Sequence, residues 1–357
     1  MSAAQPLALL LAGGTGGHVY PAMAVALELR ERGFRLGWVG TSRGLESRVV
    51  PEAGIELHTL PMRGIRGKGL FQQVQAIVML GWSLLASLAL MARRRPAVVI
   101  GMGGYASVPA ALAAWLLRRP LLLQEQNAVA GSANRNLARF ARGIVTGFPG
   151  VLTQHKQAEY LGNPIRKEMI VAGEQQDTES VEGRALRVLV LGGSLGARPL
   201  NEAMPRVAAA LGASCEWRHQ CGAAHAEEAN AAYEAQGVSA QVQPFIGDMA
   251  EAYAWADLVV CRAGALTVAE LAVMACPSVL VPLPHAIDDH QTANARFLAD
   301  ADAAVLLPQT ELDSLEDCLR GLIDDPSKLA AMATAARGQA KPSATVDIAN
   351  RIEELVA

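Results

Sequence analysis

The chain has 357 residues, of which 51% are hydrophobic and 18% charged, with 33 glycines. That length can bury two ordinary cores, and glycine turns between alanine-rich helices fit α/β layers better than a sandwich or barrel. The net charge of −3 hides an asymmetry: residues 1–163 carry 17 Lys and Arg against 7 Asp and Glu, and residues 164–357 carry 14 against 27. The basic half points to an anionic membrane surface or a nucleic acid. Aromatic residues at 4% and the absence of a readout motif disfavour nucleic acid. Five cysteines (Cys215, Cys221, Cys261, Cys276, Cys318) show no CxxC spacing, which argues against a zinc site or a disulfide framework and for reduced, cytoplasmic thiols. The N-terminus lacks the basic stretch and cleavage site of a signal peptide; Leu7 to Ala12 runs straight into a glycine loop, as a first strand does.

In chain order, Pro6 to Ala12 reads as a strand that ends in Gly-Gly-Thr-Gly-Gly-His, residues 13–18. A helix follows over Pro21 to Arg32, with Ala22, Val25, Ala26 and Leu29 on its inner face, then a strand over Arg35 to Val39. This is a Rossmann-like opening, but Gly40, Thr41 and Ser42 stand where a dinucleotide-binding protein has its ribose-binding acid, so a nicotinamide oxidoreductase is disfavoured. His18, directly after the glycines, projects at the mouth of the turn as a catalytic or substrate-contacting residue; helix capping is the plainer alternative.

Arg63, Arg66 and Lys68 precede the uncharged stretch Leu70 to Ala92, and Arg93, Arg94 and Arg95 follow it. Its length is near that of a membrane span. Gln72, Gln73, Gln75, Ser83 and Ser87 dilute it, however, and it lies between two strands of one βαβ series. The expected arrangement is a helix packed on the sheet whose exposed end, with Leu70, Phe71, Ile77 and Trp82, dips into the membrane interface while Arg93 and Arg94 meet anionic headgroups. The alternative is an ordinary buried helix with solvated basic ends.

Ala97 to Gly101 is the next strand and leads into Gly101-Met-Gly103-Gly104-Tyr105; after a helix, Leu121 to Gln124 closes on Glu125-Gln126-Asn127. Three strand ends thus deliver His18, Gly103 to Tyr105 and Glu125 to Asn127 towards one crevice, which suits a pyrophosphate attached to a lipid. Gly162-Asn163-Pro164-Ile165-Arg166 marks the crossing between halves, and residues 173–183 read as polar loop.

The second half repeats the grammar. Leu186 to Leu191 is a strand before Gly192-Gly193-Ser194-Leu195-Gly196-Ala197-Arg198, a seat for a diphosphate on loop N–H groups and the Ser194 hydroxyl. Short strands follow at Trp217 to Gln220 and Ala240 to Val242. Leu258 to Cys261 breaks at Arg262-Ala263-Gly264 into a helix over Ala265 to Met274, then a strand over Ser278 to Leu283 and a polar loop from His285 to Gln291. The helix start suits a phosphate, and Glu270, five residues on from Ala265, is placed to reach sugar hydroxyls. A plain core βαβ unit shares this pattern. The last helix, Ile348 to Val356, is expected to return to the first domain.

The motifs GGTGGH (13–18), GMGGY (101–105), EQN (125–127), GNPIR (162–166), GGSLGAR (192–198) and CRAGALTVAE (261–270) occur together in an order and spacing that resembles the MurG family of bacterial glycosyltransferases over essentially the whole chain. The resemblance implies a GT-B fold: two Rossmann-like, doubly wound α/β domains facing a cleft, here residues 1–163 with 341–357 and residues 164–340. It implies inverting transfer of GlcNAc from UDP-GlcNAc to the C4 hydroxyl of MurNAc in lipid I, giving lipid II for peptidoglycan. By motif position, Glu270 would bind the ribose, the Ile246 backbone the uracil edge, and Ser194 with Ala265, Leu266 and Thr267 the diphosphate, with Val268 and Ala269 alongside. Gln291 and Asn294 would contact the GlcNAc hydroxyls, and Arg166 and Asn127 would complete the pocket. Thr15, Gly16 and Gly17 would line the donor–acceptor junction, and Gly14, Gly103, Gly104 and Tyr105 the acceptor pyrophosphate. His18 is nominated as catalytic base, with Glu125 or a water as alternatives. No metal or other cofactor is expected, since no Asp-x-Asp motif occurs at the diphosphate. The implied location is the cytoplasmic face of the inner membrane, on an anionic surface beside other cell-wall synthesis proteins. His290-Gln291 departs from the family's usual Gln-Gln pair and leaves the role of His290 open. A UDP-GlcNAc 2-epimerase of the same fold, or a non-catalytic sugar-nucleotide module acting with a partner, is the rival reading.

Overall fold

The computed structural model describes residues 5–61, 70–176, 183–193 and 195–357, with side chains of the helix that starts at Leu70 described from Val78 onward. The chain divides into two compact units, Met1–Ile165 with Ser343–Ala357, and Arg166–Pro342.

The first unit is built on β1 (Leu7–Leu11), β2 (Arg35–Gly40), β3 (Glu56–Thr59), β4 (Val98–Gly101), β5 (Leu121–Glu125), β6 (Gly143–Thr146) and β7 (Ala158–Tyr160). They form a parallel sheet in the order β3-β2-β1-β4-β5-β6-β7. Central strands covered by helices on both faces read as unbroken apolar runs, and Leu9, Leu10 and Leu11 are wholly buried. Each such side chain contributes roughly 1.5–3 kcal/mol. The final helix, Ala344–Val356, belongs to this unit: Ile348, Ala349, Ile352 and Leu355 join its core, and Arg32 reaches Asn350 Oδ1 at 2.7 Å and Glu353 Oε2 at 2.8 Å.

The second unit holds β8 (Leu186–Leu191), β9 (Cys215–Gln220), β10 (Ala240–Gln243), β11 (Leu258–Cys261), β12 (Ser278–Leu280) and β13 (Ala304–Leu306). These are also parallel, in the order β10-β9-β8-β11-β12-β13. Both sheets therefore reverse direction beside their first strand, which is where open α/β sheets hold ligands. Two local readings change. β12 stops at Leu280, short of Pro282, which has no N–H to donate to a ladder. Residues 173–175 continue the helix Lys167–Gln175, where Gly173 packs so tightly that a Cβ would stand 2.5 Å from the Val273 carbonyl oxygen.

The helix Leu70–Arg94 lies in the chain between β3 and β4, and among the described residues no helix is long and apolar enough to cross a membrane. Its faces are inverted relative to an ordinary core helix. Ser83 and Ser87 are wholly buried, with their hydroxyls donating to the Pro61 and Ser83 carbonyls at 3.0 and 2.7 Å. Val78 and Trp82 are each 66% exposed and Leu85 61%. The neighbouring helix Val108–Leu116 adds exposed Trp115 and Leu116.

Candidate functional site

In the first unit, three loops leave the carboxyl ends of β1, β4 and β5 and meet. Gly103 holds φ +87, and a Cβ there would stand 3.2 Å from His18 Cδ2 and 3.3 Å from Nε2. The His18 ring therefore lies against bare backbone, and only glycine satisfies both the dihedral and the approach. Gly104, at φ +79, faces the Gly13 carbonyl oxygen, 3.5 Å from where its Cβ would be. Gln126 Nε2 donates to the Met102 carbonyl at 2.8 Å, which ties the third loop to the second. Tyr105 stands exposed at the rim.

Glu125 is the first correction. Its carboxylate is buried and receives the Asn127 N–H at 3.0 Å, Asn127 Nδ2 at 3.3 Å, the Gly131 N–H at 3.0 Å and Asn134 Nδ2 at 3.0 Å. A carboxylate so occupied organises the loop 126–134 and has no exposed face for a substrate proton; it is withdrawn as an alternative base. Asn127 belongs to this same loop.

Gly14 is also reassigned. Its N–H donates to Glu46 Oε2 at 2.9 Å, and Glu46 Oε1 accepts from the Thr41 N–H and hydroxyl, each at 2.8 Å. Glu46 is wholly buried, and a Cβ on Gly13 would stand 2.5 Å from its Oε1. Gly14 thus shapes the loop while its N–H is committed to a carboxylate, so it offers no donor to a diphosphate. Thr15 is the extended N-cap of the helix Gly16–Glu31, and Gly16 and Gly17 form its first turn.

In the second unit, the helix Ala265–Val273 starts after β11 with Gly264 as N-cap and no side-chain cap. Its opening N–H groups, including those of Leu266 and Thr267, face the carboxyl edge of the sheet. Val268 is buried and its N–H bonds the Gly264 carbonyl at 2.9 Å; Ala269 is half-buried beside it. Glu270 accepts the Tyr253 hydroxyl at 3.2 Å, and Arg166 Nη2 stands 3.7 Å from its other oxygen. Burial pushes the Glu270 carboxyl above the ordinary carboxylate range, partly offset by the Arg166 charge and the Tyr253 hydrogen bond.

The loop from His285 to Gln291 is held by its own side chains. Gln291 Oε1 accepts the Leu283 N–H at 2.9 Å. His290 Nδ1 lies 2.7 Å from the Ile287 carbonyl and closes a turn in which Asp288 and Asp289 both take left-handed backbone, φ 54 and 50. That contact braces the turn. Asn294 lies in the helix that follows. It has no exposed surface, and its Nδ2 donates to the Ala263 carbonyl at 3.1 Å, which ties it to the strand-to-helix turn. Ser194 lies outside the described residues, as do the side chains of Leu70, Phe71 and Ile77. The glycines around Ser194 are placed: Gly193 and Gly196 hold φ +81 and +78. Ile246 is buried beside exposed Phe245.

Sequence reasoning missed Glu46, Gln220, Tyr253 and Arg262 as parts of these sites. Arg262 bonds the Val281 and Pro282 carbonyls at 3.1 and 3.2 Å and Gln309 Oε1 at 2.6 Å, fastening the ends of β11 and β12. The available signal was a polar residue at the carboxyl end of a buried strand, which holds for Arg262 and Gln220 but not for the other two. Among the described residues, no group of three or more His, Cys, Asp or Glu side chains is arranged to hold a metal ion.

Parallel sheets of seven and six strands, one in each unit, each with a glycine loop after its first strand, define a GT-B glycosyltransferase fold. Residues 8–146 match the glycosyltransferase family 28 N-terminal domain and residues 187–352 the family 28 C-terminal domain. The chain belongs to glycosyltransferase family 28. It is 50% identical over 345 residues, 96% of each chain, to the UDP-N-acetylglucosamine–N-acetylmuramyl-(pentapeptide) pyrophosphoryl-undecaprenol N-acetylglucosamine transferase of Alkalilimnicola ehrlichii. The protein of that name from Stutzerimonas stutzeri is 49% identical over 341 residues, covering 94% of this chain and 95% of the relative. Among solved structures, Acinetobacter baumannii MurG superposes with a TM-score of 0.82 at 36% identity, over 98% of this chain and 99% of that one. A putative UDP-N-acetylglucosamine 2-epimerase from Listeria monocytogenes has a TM-score of 0.67 at 16% identity, over 98% and 96%, and shares the fold alone.

Proposed function

We propose that the chain transfers GlcNAc from UDP-GlcNAc to the C4 hydroxyl of MurNAc in lipid I, giving lipid II. The observation that carries the donor side is the pairing of Glu270 with an uncapped helix start on one element: a carboxylate for ribose hydroxyls and N–H groups for the diphosphate. The relatives' shared name, at up to 50% identity over 96% of both chains, supports the substrates and favours transfer over epimerisation.

In the second unit, the Ile246 backbone meets the uracil edge, Glu270 the ribose, and Leu266 and Thr267 with the Gly193–Gly196 loop the diphosphate. Gln291 keeps its Nε2 for a sugar hydroxyl while its Oε1 holds Leu283. In the first unit, His18 accepts the proton of the attacking hydroxyl, a task for which an imidazole nitrogen serves as a positioned base. The hydroxyl oxygen bonds the anomeric carbon from the face opposite UDP, the carbon–oxygen bond to the diphosphate breaks, and UDP leaves with the electron pair. Helix and loop N–H groups stabilise the charge that develops on it, with no metal in this reading. Gly103, Gly104 and Tyr105 line the acceptor side.

The same reading includes peripheral attachment to the cytoplasmic face of the inner membrane, beside other cell-wall synthesis proteins. Exposed Val78, Trp82, Leu85, Trp115 and Leu116, with Arg93 and Arg118 nearby in the chain, support it: apolar side chains to enter the interface and cations to meet headgroups, whereas the Arg94 guanidinium pairs with the Glu56 carboxylate. UDP release from UDP-GlcNAc with and without a short-chain lipid I analogue tests the function. Release that requires the analogue supports it. Conversion of UDP-GlcNAc alone to UDP-ManNAc favours the epimerase instead.

A further inference from the structure

Gln220 is the last residue of β9, the strand between β8 and β10, and its side chain is almost wholly buried. Its Oε1 accepts the Gly193 N–H at 3.0 Å, and its Nε2 donates to the Gly193 carbonyl at 3.1 Å and the Pro244 carbonyl at 3.0 Å. One planar carboxamide therefore satisfies both backbone groups of the left-handed glycine in the loop after β8. The same group reaches the segment after β10 that leads into Phe245 and Ile246. The backbone repeats the tie, with the Gly192 N–H on the Gln220 carbonyl at 2.9 Å and the Cys221 N–H on the Gln243 carbonyl at 3.0 Å.

The central strand of the three is the one whose end can touch both neighbours, and only a carboxamide of this length offers an acceptor and two donors there. A carboxylate would set one oxygen against two carbonyls. An aliphatic chain would remove the bonds to the Gly193 N–H and the Pro244 carbonyl and leave the Gly193 carbonyl with the Gly196 N–H alone, so the two segments would lose their side-chain tie.

We propose that Gln220 is a positioning residue that fixes the distance between the diphosphate-binding and base-binding segments, so that one nucleotide engages both at once. This rests on the donor reading of the second unit. Two subsites held at matched spacing bind a linked ligand far better than its parts, and that advantage is lost when the spacing loosens. Gln220 acts through the loops and does not itself touch substrate.

The test compares UDP with uridine by titration calorimetry on the full chain, for wild type, Gln220→Leu and Gln220→Glu, with thermal midpoints as a check of folding. The expected result is a fall of about tenfold or more in the preference for UDP over uridine. Uridine itself should weaken far less, and KM for UDP-GlcNAc should rise while kcat at saturation stays near wild type. A preserved UDP-over-uridine ratio overturns the inference, as does a loss of kcat with KM unchanged, which marks a merely structural residue. Where the leucine variant is not recovered folded, Gln220→Asn shortens the arm and keeps its hydrogen-bonding groups, and the same ratio decides. Failure of the donor reading is distinguishable: wild type would then bind no UDP, or Glu270→Ala would bind it as tightly as wild type.

Discussion

The Tyr253 hydroxyl donates to Glu270 Oε2 at 3.2 Å, joining the helix Met249–Trp255 to the helix Ala265–Val273 at the carboxyl edge of the second sheet. Burial raises the Tyr253 pKa well above its ordinary value of 10, so the hydroxyl stays a donor and orients the carboxylate. Charged hydrogen bonds are worth about 1.5–3 kcal/mol each. Glu270→Gln should therefore weaken UDP binding by roughly tenfold or more, read by calorimetry; a variant within twofold of wild type would remove the ribose role. The pH dependence has a definite sign. With its pKa raised above the ordinary 4.5, Glu270 gains a proton on acidification before an exposed carboxyl does, and the protonated form loses an acceptor. UDP affinity should thus fall with pH starting above 4.5 in wild type and less steeply in Glu270→Gln.

His18→Ala should lower kcat by about 10²–10⁴-fold, the usual size of general base assistance, while UDP affinity stays near wild type. Rapid-quench turnover beside calorimetry separates the two. An unchanged kcat would remove His18 as base.

Gly103→Ala tests the support of that histidine. Left-handed backbone costs an L-residue about 1–2 kcal/mol, and the new methyl would stand 3.2 Å from His18 Cδ2. The thermal midpoint should drop by a few degrees and kcat should fall by about tenfold or more, with UDP binding intact. A variant as active as wild type would show that the ring position tolerates the methyl.

His219 predicts an acid-sensitive second unit. It is wholly buried between Tyr233 Oη and Asn201 Oδ1, each at 3.1 Å, and burial lowers its pKa from 6.5 to about 4. Between those values the unfolded chain takes up the proton and the folded chain does not. The stability this histidine contributes is therefore full above pH 6.5 and declines as pH falls towards about 4. Each pH unit in that window costs up to about 1.4 kcal/mol. Urea unfolding at a series of pH values should show this slope, and His219→Gln, though less stable at neutral pH, should show a flatter one.

Trp82→Ser with Leu85→Ser should reduce flotation with anionic vesicles by about tenfold or more, since each buried apolar side chain is worth about 1.5–3 kcal/mol. Turnover of a water-soluble acceptor analogue should be unchanged. Undiminished vesicle binding would mean that another surface carries the membrane contact.

Much of the fold is legible in the chain because its determinants are local. Apolar runs such as Leu186 to Leu191 make strands, and the glycines after them make turns whose backbone no other residue adopts cheaply. The helix start at Ala265 and the acid at Glu270 follow from spacing alone. What the chain order could not reveal are the partners. Glu46 meets Gly14 from 32 residues away, and Gln220 meets Gly193 from 27, because the sheet order lays β2 and β9 beside β1 and β8. Tertiary packing alone turned Glu125 from a candidate base into a loop-holding carboxylate and tied Asn294 to the Ala263 carbonyl. A hydrogen bond depends on where its second atom lies, and strand order, not residue spacing, places that atom.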